Sequence, residues 1–164
     1  MSDFNYDDYI EVYPPYRYAL RDIRNISDFT FIKNDFQILW KYLQEINSLL
    51  GSLEEAVAYI QYMNNEIKVR IILTKIQENI EKLRNIIGNI RIKIKRIPNY
   101  QTFDYYLNRI DLEVLGEIEA SINDIQYKIK NSFISIGDLY RFIREAREKF
   151  EEFKDFVNEI LMHI

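Results

Sequence analysis

The sequence contains no cysteine and very little histidine, glycine or proline. Without cysteine there is no disulfide framework, no thiolate metal site and no thiol nucleophile. The one histidine, His163, leaves little scope for imidazole chemistry. With four glycines in 164 residues, the chain shows no glycine-rich phosphate-binding loop. No window reaches the roughly 18 to 20 apolar residues that a membrane-spanning helix needs.

The acidic residues do not form a recognisable catalytic or metal-binding set. Glu159 and His163 share a helix face at i, i+4 spacing, but two groups are too few to hold a metal, and a cation near a helix C-terminus is the simpler interpretation. Glu113, Glu117 and Glu119 are interpreted as a solvated face. We therefore expect no enzymatic activity, no cofactor, no metal and no small-molecule substrate.

Isoleucine is the most overrepresented residue, with 28 copies against 13 leucines and 5 valines. Helix packing does not favour this ratio, because the β-branch restricts side-chain freedom. An AT-rich genome explains it, together with the 13 tyrosines and 14 asparagines. In composition the chain resembles the small orphan all-α proteins of thermophilic archaeal viruses and plasmids. An AT-rich bacterium or its phage is the alternative source.

Residues 1–15 differ from the rest of the chain and are treated as a separate acidic, tyrosine-rich arm. They contain four acidic residues and no basic one, so the net charge of −4 belongs to this arm. The arm lacks both the basic start and the apolar run of a signal peptide, so we expect a cytoplasmic protein, in the host cell if it is viral. Its candidate partner-binding residues are Tyr6, Asp7, Asp8, Tyr9, Glu11, Tyr13 and Tyr16.

The arm has two interpretations. Tyrosine offers a large contact area, few rotatable bonds and a polar tip, all of which suit an interface. The arm either lies as a strap in a groove of its own domain or docks on a basic groove of a partner protein.

Periodic apolar residues predict helices over most of residues 16–164, which we treat as a single domain. A short amphipathic stretch covers about residues 16–26. Asn34 and Gln37 form a capping-box pattern for the next helix, and Gly51 is a suitable residue to end it. The seam of that helix is spaced by threes and fours: Phe36, Leu39, Leu43, Ile46 and Leu50, with Trp40 beside them.

A second capping box, Ser52 with Glu55, predicts one very long helix over about residues 53–97. Its seam keeps strict 4,3 spacing: Val69, Leu73, Ile76, Ile80, Leu83, Ile87, Ile90, Ile94 and Ile97. The alternation of isoleucine with basic residues from Asn89 to Ile97 also fits a strand after a stop at Gly88. We favour the helix because the heptad continues through Gly88 and no second strand candidate exists.

Two more helices complete the predicted fold. One covers about residues 103–130, with a break near Asp111, and the other follows a third capping-box pattern, Ser135 with Asp138. Their seams are Leu107, Ile110, Val114, Ile118, Ile122, Ile125 and Ile129, and then Leu139, Ile143, Ala146, Phe150, Phe153, Val157, Ile160 and Ile164. We predict an all-α fold: an antiparallel helical bundle or coiled-coil hairpins of about four main helices. The seams either satisfy one another within the chain or leave one exposed for another subunit.

A basic stretch between residues 82 and 103 is the candidate nucleic-acid patch. It contains six basic residues and no acidic one, with a tyrosine that could stack on bases: Lys82, Arg84, Arg91, Lys93, Lys95, Arg96 and Tyr100. Residues 104–124 contain six acidic residues against Arg109 alone. If the two stretches form a hairpin, their charges match internally, which is the alternative interpretation.

Together these features predict a non-enzymatic helical interaction protein encoded by a virus or mobile element. It would act by protein–protein binding as an inhibitor, regulator or assembly subunit, with a second copy or a host protein as partner. The alternatives are a nucleic-acid-associated subunit that uses the basic stretch, and a virion structural protein.

Overall fold

Helices make up nearly all of the computed structural model, which describes residues 26–60, 65–98, 100–132 and 134–164. None of these residues lies in a strand, so the predicted all-α fold is confirmed. The short stretch expected over residues 16–26 falls outside the described residues, apart from Ile26. In chain order the elements are a 3-10 helix, Ile26–Ile32; α1, Lys33–Ala58; α2, Glu66–Ile94; α3, Gln101–Arg109; a π-helical segment, Ile110–Gly116; α4, Glu117–Lys130; and α5, Ile136–His163.

Neighbouring helices run antiparallel. α1 packs along α2 on one side and along α5 on the other, and α2 also packs against α3 and α4. Asp35 in the first turn of α1 pairs with Lys93 near the end of α2, at 2.9 Å. Glu54 near the end of α1 pairs with Arg147 in the first half of α5, at 2.9 Å. The predicted antiparallel bundle is therefore confirmed.

The predicted seams are buried within this one chain. Every seam residue of α2 from Val69 to Ile94 has 0% of its surface exposed. The α5 seam is buried from Leu139 to Ile160. Burying one such side chain contributes about 1.5–3 kcal/mol, so these seams are the main source of stability. The helices supply one another's seams, as the first of the two sequence interpretations expected.

The predicted long helix over residues 53–97 is wrong, and so is the helix end predicted at Gly51. α1 continues through Gly51 to Ala58, because the apolar spacing continues from Leu50 to Leu53 and Val57, which are all buried. The chain leaves the helix after Ala58, where Asn65 Nδ2 donates a hydrogen bond to the Ala56 carbonyl at 3.2 Å. That bond satisfies one of the carbonyl groups left free at a helix end.

The predicted cap at Asn34 is also wrong. The 3-10 helix leads directly into α1 at Lys33, and no side chain caps this start. The capping box at Ser135 is confirmed, because Ser135 Oγ accepts a hydrogen bond from the Asp138 backbone N–H at 3.1 Å.

α2 passes through Gly88 and ends at Ile94, followed by a turn that contains Pro98. The strand alternative for residues 89–97 is therefore excluded. The helix favoured by the heptad is confirmed here, although it ends three residues earlier than expected.

The break predicted near Asp111 is a π-helical segment, which adds one residue to the turn. The apolar spacing therefore becomes five from Ile110 to Leu115, both of which are buried. Val114, the expected seam residue, is only half-buried. From Ile118 to Ile129 the predicted seam is buried as expected.

Candidate interaction surface

The residues proposed for the partner-binding arm, from Tyr6 to Tyr16, lie outside the described residues. The structure does describe all seven residues of the proposed nucleic-acid patch, and it separates them by what they contact.

Two arginines of the basic stretch face α3, the π-helical segment and α4. Arg84 contacts both Asp111 and Glu119 at 2.8 Å. Arg91 contacts Asp104 at 2.7 Å and the side-chain oxygen of Asn108 at 2.8 Å. The hydrogen bonds that Arg84 donates to Asp111 and that Arg91 donates to Asp104 raise the pKa of each guanidinium group. Both guanidinium groups are thus already neutralised within the molecule.

The remaining basic residues point elsewhere. Lys93 pairs with Asp35 of α1, the Arg96 guanidinium stacks 3.8 Å from the centre of the Phe31 ring, and Lys82 lies 5.5 Å from the Tyr42 ring. Lys95 is exposed. Tyr100 is half-buried and packs against the core rather than presenting its ring for stacking. Opposite charges on adjacent helices therefore match internally to a large degree.

α3, the π-helical segment and α4 follow one another without a gap, and we call residues 101–130 the α3–α4 helix. A polar ladder runs along the contact between α2 and the α3–α4 helix. Gln77 donates to Asn123 at 2.8 Å, and Gln126 donates to Thr74 Oγ1 at 3.2 Å. With the two arginines, these contacts recur about every seven residues along α2. Polar residues beside a heptad seam set partner choice and register. The seven-residue spacing of Gln77, Arg84 and Arg91 was the sequence signal for this ladder.

The carboxylates between α3 and α4 are paired rather than simply solvated. Arg109 contacts Glu113 at 3.0 Å, Lys149 contacts Glu117, and Arg84 contacts Glu119. In the described part of the chain, no three His, Asp or Glu side chains are grouped so that they could hold a metal ion. His163 Nδ1 lies 2.8 Å from the Glu159 carbonyl, a local contact in the last turn of α5.

Exposed apolar residues are distributed unevenly over the described helices. α2 carries three isoleucines on its outer side: Ile67 (68% exposed), Ile71 (51%) and Ile92 (69%). α3, the π-helical segment and α4 carry Tyr105, Leu112 and Tyr127, each more than half exposed. α1 itself exposes no large apolar side chain, although Tyr59 directly after it is 57% exposed, and α5 exposes only Tyr140 and Met162. We call the outward-facing side of α2 and of α3–α4 the hairpin face.

The first half of α2 also forms a shallow groove. It is lined by Ile67, Arg70, Ile71, Thr74, Lys75, Glu78 and Gln126. The two isoleucines are one helical turn apart and therefore form one apolar ridge, which basic side chains flank. The sequence indicated both isoleucines by their position, because Ile67 and Ile71 lie off the 4,3 seam and so do not face the core.

Charge is unevenly distributed as well. α2 contains seven Lys and Arg residues and three Asp and Glu residues, whereas α1, the α3–α4 helix and α5 each contain more acidic than basic residues. No carboxylate of the described residues pairs with Lys82, Lys95 or Arg96. The hairpin face thus combines exposed isoleucine with unneutralised positive charge along α2.

Comparison with protein-family models, with curated proteins and with solved structures finds no match to this chain. No helix of the described residues is both long enough and apolar enough to cross a membrane.

Proposed function

We propose that this chain is a non-enzymatic helical interaction protein, encoded by a virus or mobile element, that binds another protein through its hairpin face. The observation that carries the proposal is the uneven distribution of exposed large apolar side chains. Ile67, Ile71 and Ile92 expose more than half of their surface on one helix, whereas α1 exposes no comparable residue. Exposed apolar groups concentrated on one side of a protein are typical of an interaction site.

The charge of α2 adds information about the partner. A basic helix with an apolar ridge is complementary to a surface that is acidic and apolar. Complementary charge speeds association and suppresses wrong partners more than it adds affinity. An inhibitor, a regulator or an assembly subunit would each use such a face, and a virion component would use it to contact a neighbouring subunit.

The nucleic-acid alternative receives less support from the geometry. Arg84, Arg91 and Lys93 each have a carboxylate partner, so phosphate binding would have to displace an existing ion pair. Lys82, Lys95 and Arg96 remain for phosphate contacts. A filter-binding series over increasing salt tests this alternative. For double-stranded DNA, the logarithm of the binding constant falls with the logarithm of the salt concentration, with a slope of about −0.9 for each phosphate contact. Absence of binding at low salt would remove it.

The main proposal is tested by substitutions that change one face at a time. The double variant Ile67→Gln, Ile71→Gln removes the apolar ridge from exposed positions and should not disturb folding. The matched control, Tyr140→Gln with Met162→Gln, removes exposed apolar groups from α5 instead. Each protein is immobilised and used to capture proteins from a lysate of the cells that carry the gene, and unfolding curves check that all variants are folded.

The expected result is that one or more captured proteins are lost with the Ile67, Ile71 variant and kept with the α5 control. Capture that is the same for all three proteins would contradict the assignment of the hairpin face. Loss with the α5 control alone would place the binding surface on α5.

A further inference from the structure

The acidic arm and the hairpin face of the same chain are complementary. Residues 1–15 combine four carboxylates, no basic residue and a high density of tyrosine. The outer side of α2 combines exposed isoleucine with basic side chains that lack a carboxylate partner among the described residues. The carboxylates of the arm match the basic groups of α2, and its aromatic rings match the exposed isoleucines.

The described chain begins at the appropriate end of the bundle. The 3-10 helix packs against α3 through Phe29 and Phe103, whose ring centres are 5.1 Å apart. It packs against the end of α2 through Phe31, on which the Arg96 guanidinium stacks at 3.8 Å. The described chain therefore begins near the end of α2 that carries Ile92 and Lys95, both of which are exposed.

The length of the arm matches the length of the face. α2 has 29 residues and is about 44 Å long at 1.5 Å per residue. Fifteen extended residues span at most about 50–54 Å. Ten residues separate the arm from the 3-10 helix and extend this reach further. The arm can therefore reach along most of α2.

Electrostatics selects α2 over the other exposed helix faces. On α5, Glu145, Glu148, Glu151 and Glu152 are exposed and have no cationic partner among the described residues. An acidic segment is repelled there. Along α2 and the turn after it, exposed basic residues without a described carboxylate partner outnumber exposed acidic residues without a described cationic partner: Lys68, Arg70, Lys75, Lys82, Lys95 and Arg96 against Glu66, Glu78 and Glu81. Exposed charges interact over about 10 Å at 0.1 M salt, which is sufficient to bias where a tethered segment lies.

The surface near the end of α2 also offers space for aromatic rings. Gly88 is exposed, and a Cβ built at this position would meet nothing within 4 Å. It lies one helical turn before Ile92, so the helix backbone at Gly88 and the isoleucine side chain form a step on the surface. A tyrosine ring can pack flat against such a step while its hydroxyl group stays in water.

We infer that residues 1–15 dock in cis along the outer side of α2, with carboxylates toward Lys82, Lys95 and Arg96 and aromatic rings toward Ile92 and Gly88. The arm then covers the part of the hairpin face around Ile92, so an acidic, apolar partner that extends over this part must displace it. That regulatory consequence rests on the proposed function, whereas the docking itself does not.

The absence of cysteine allows a direct test with one spin label per molecule. The label is placed at Asn85→Cys, which is exposed on the outer side of α2, or at the matched control Glu148→Cys, which is exposed on α5. NMR spectra of the free protein then report how strongly each label broadens the amide signals of residues 1–15. Docking predicts loss of most of the arm's signal intensity with the label on α2 and retention of intensity with the label on α5.

Two further measurements separate docking in cis from other causes. The first measurement uses a mixture of two samples: isotope-labelled protein without the spin label, and spin-labelled protein without the isotope. Broadening in this mixture reports contacts between different copies, so docking in cis predicts little of it. The substitution Lys95→Glu should restore much of the arm's signal, whereas the control Arg144→Glu, at an exposed position of α5, should not. Raising the salt to about 1 M, where the Debye length falls to about 3 Å, should act in the same direction as Lys95→Glu.

Equal broadening from both labels, or none from either, would overturn the inference. Broadening of equal strength in the mixed sample would overturn docking in cis and assign the arm to a second copy. These spectra are recorded without a partner, so they fail or succeed independently of the capture experiment. If both proposals hold, deletion of residues 1–15 increases capture by the hairpin face; if the arm itself is the binding element, the same deletion decreases it.

Discussion

Arg84 offers the sharpest test of how the α2 helix is joined to the α3–α4 helix. Its Nε donates to Asp111 and its Nη1 donates to Glu119, each at 2.8 Å. Its Nη2 donates a second hydrogen bond to Asp111 at 3.3 Å. The three side chains are only 21–29% exposed, so the contacts are partly shielded from water. The substitution Arg84→Gln removes the charge and leaves two neighbouring carboxylates without their cation beside the π-helical segment.

The expected loss follows from the class of these contacts. A hydrogen bond to a charged group contributes about 1.5–3 kcal/mol, and partial exposure reduces that figure through solvent screening. We therefore expect Arg84→Gln to lower the free energy of unfolding by about 2 kcal/mol. The matched control is Lys128→Gln, because Lys128 pairs with Asp124 at 3.1 Å with the two side chains 39% and 60% exposed. An exposed i, i+4 pair contributes only about 0.3–0.5 kcal/mol.

Urea unfolding followed by circular dichroism measures both losses, provided that the slope against urea is the same for all variants. A double-mutant cycle with Asp111→Asn then isolates the pair, and coupling of about 1 kcal/mol or more is expected. If Arg84→Gln costs no more than Lys128→Gln, the ladder does not hold the two helices together, and the register must come from the apolar seam alone.

Three further predictions concern backbone, core and cap. Gly88→Ala should stabilise the protein by about 0.5–1 kcal/mol, because a Cβ at this helical position would meet no other atom within 4 Å. Gly116→Ala should stabilise it less, because its Cβ would lie 3.3 Å from the Asp111 carbonyl oxygen. Thermal unfolding compares the two variants. Phe103→Ala should lose about 3–5 kcal/mol in urea unfolding, since this fully buried ring packs against Phe29, Phe36 and Phe156. Ser135→Ala should cost about 1 kcal/mol at neutral pH through the lost cap. The hydrogen bond with Ser135 lowers the pKa of Asp138 in the folded protein. The stabilisation from this carboxylate is therefore present above its unfolded pKa of about 4 and is lost as the pH falls through the lower folded value. The difference in unfolding free energy between wild type and Asp138→Asn should accordingly shrink in acid.

Sequence periodicity correctly predicted the helices wherever the heptad was long and uninterrupted. The α2 seam from Val69 to Ile94 and the α5 seam from Leu139 to Ile160 are buried as expected. Predictions that depended on single punctuating residues were less successful. Gly51 and Ser52 suggested a helix end and a new start, but the apolar spacing through Leu53 and Val57 continued α1 past them. Several buried side chains in one seam outweigh the roughly 1 kcal/mol that a helical glycine costs.

For the candidate sites, the sequence identified the charges but not their partners. The internal matching of the basic and acidic stretches was one of two interpretations, and only the antiparallel packing of α2 against α3–α4 brought Arg84 to Asp111 and Arg91 to Asp104. The exposed isoleucines were visible in the sequence as positions off the seam. Only the tertiary structure shows that α2, which carries them, packs beside the α3–α4 helix, which carries Tyr105, Leu112 and Tyr127.

The sequence by itself determined the helical class, the seams of the long heptads and the acidic character of residues 1–15, because each follows from local spacing and composition. The tertiary structure decided where helices end, which cations remain unneutralised and which side of the bundle carries exposed isoleucine. A heptad fixes the side of a helix that is buried but not the helix against which it is buried. That choice depends on the packing of the whole chain.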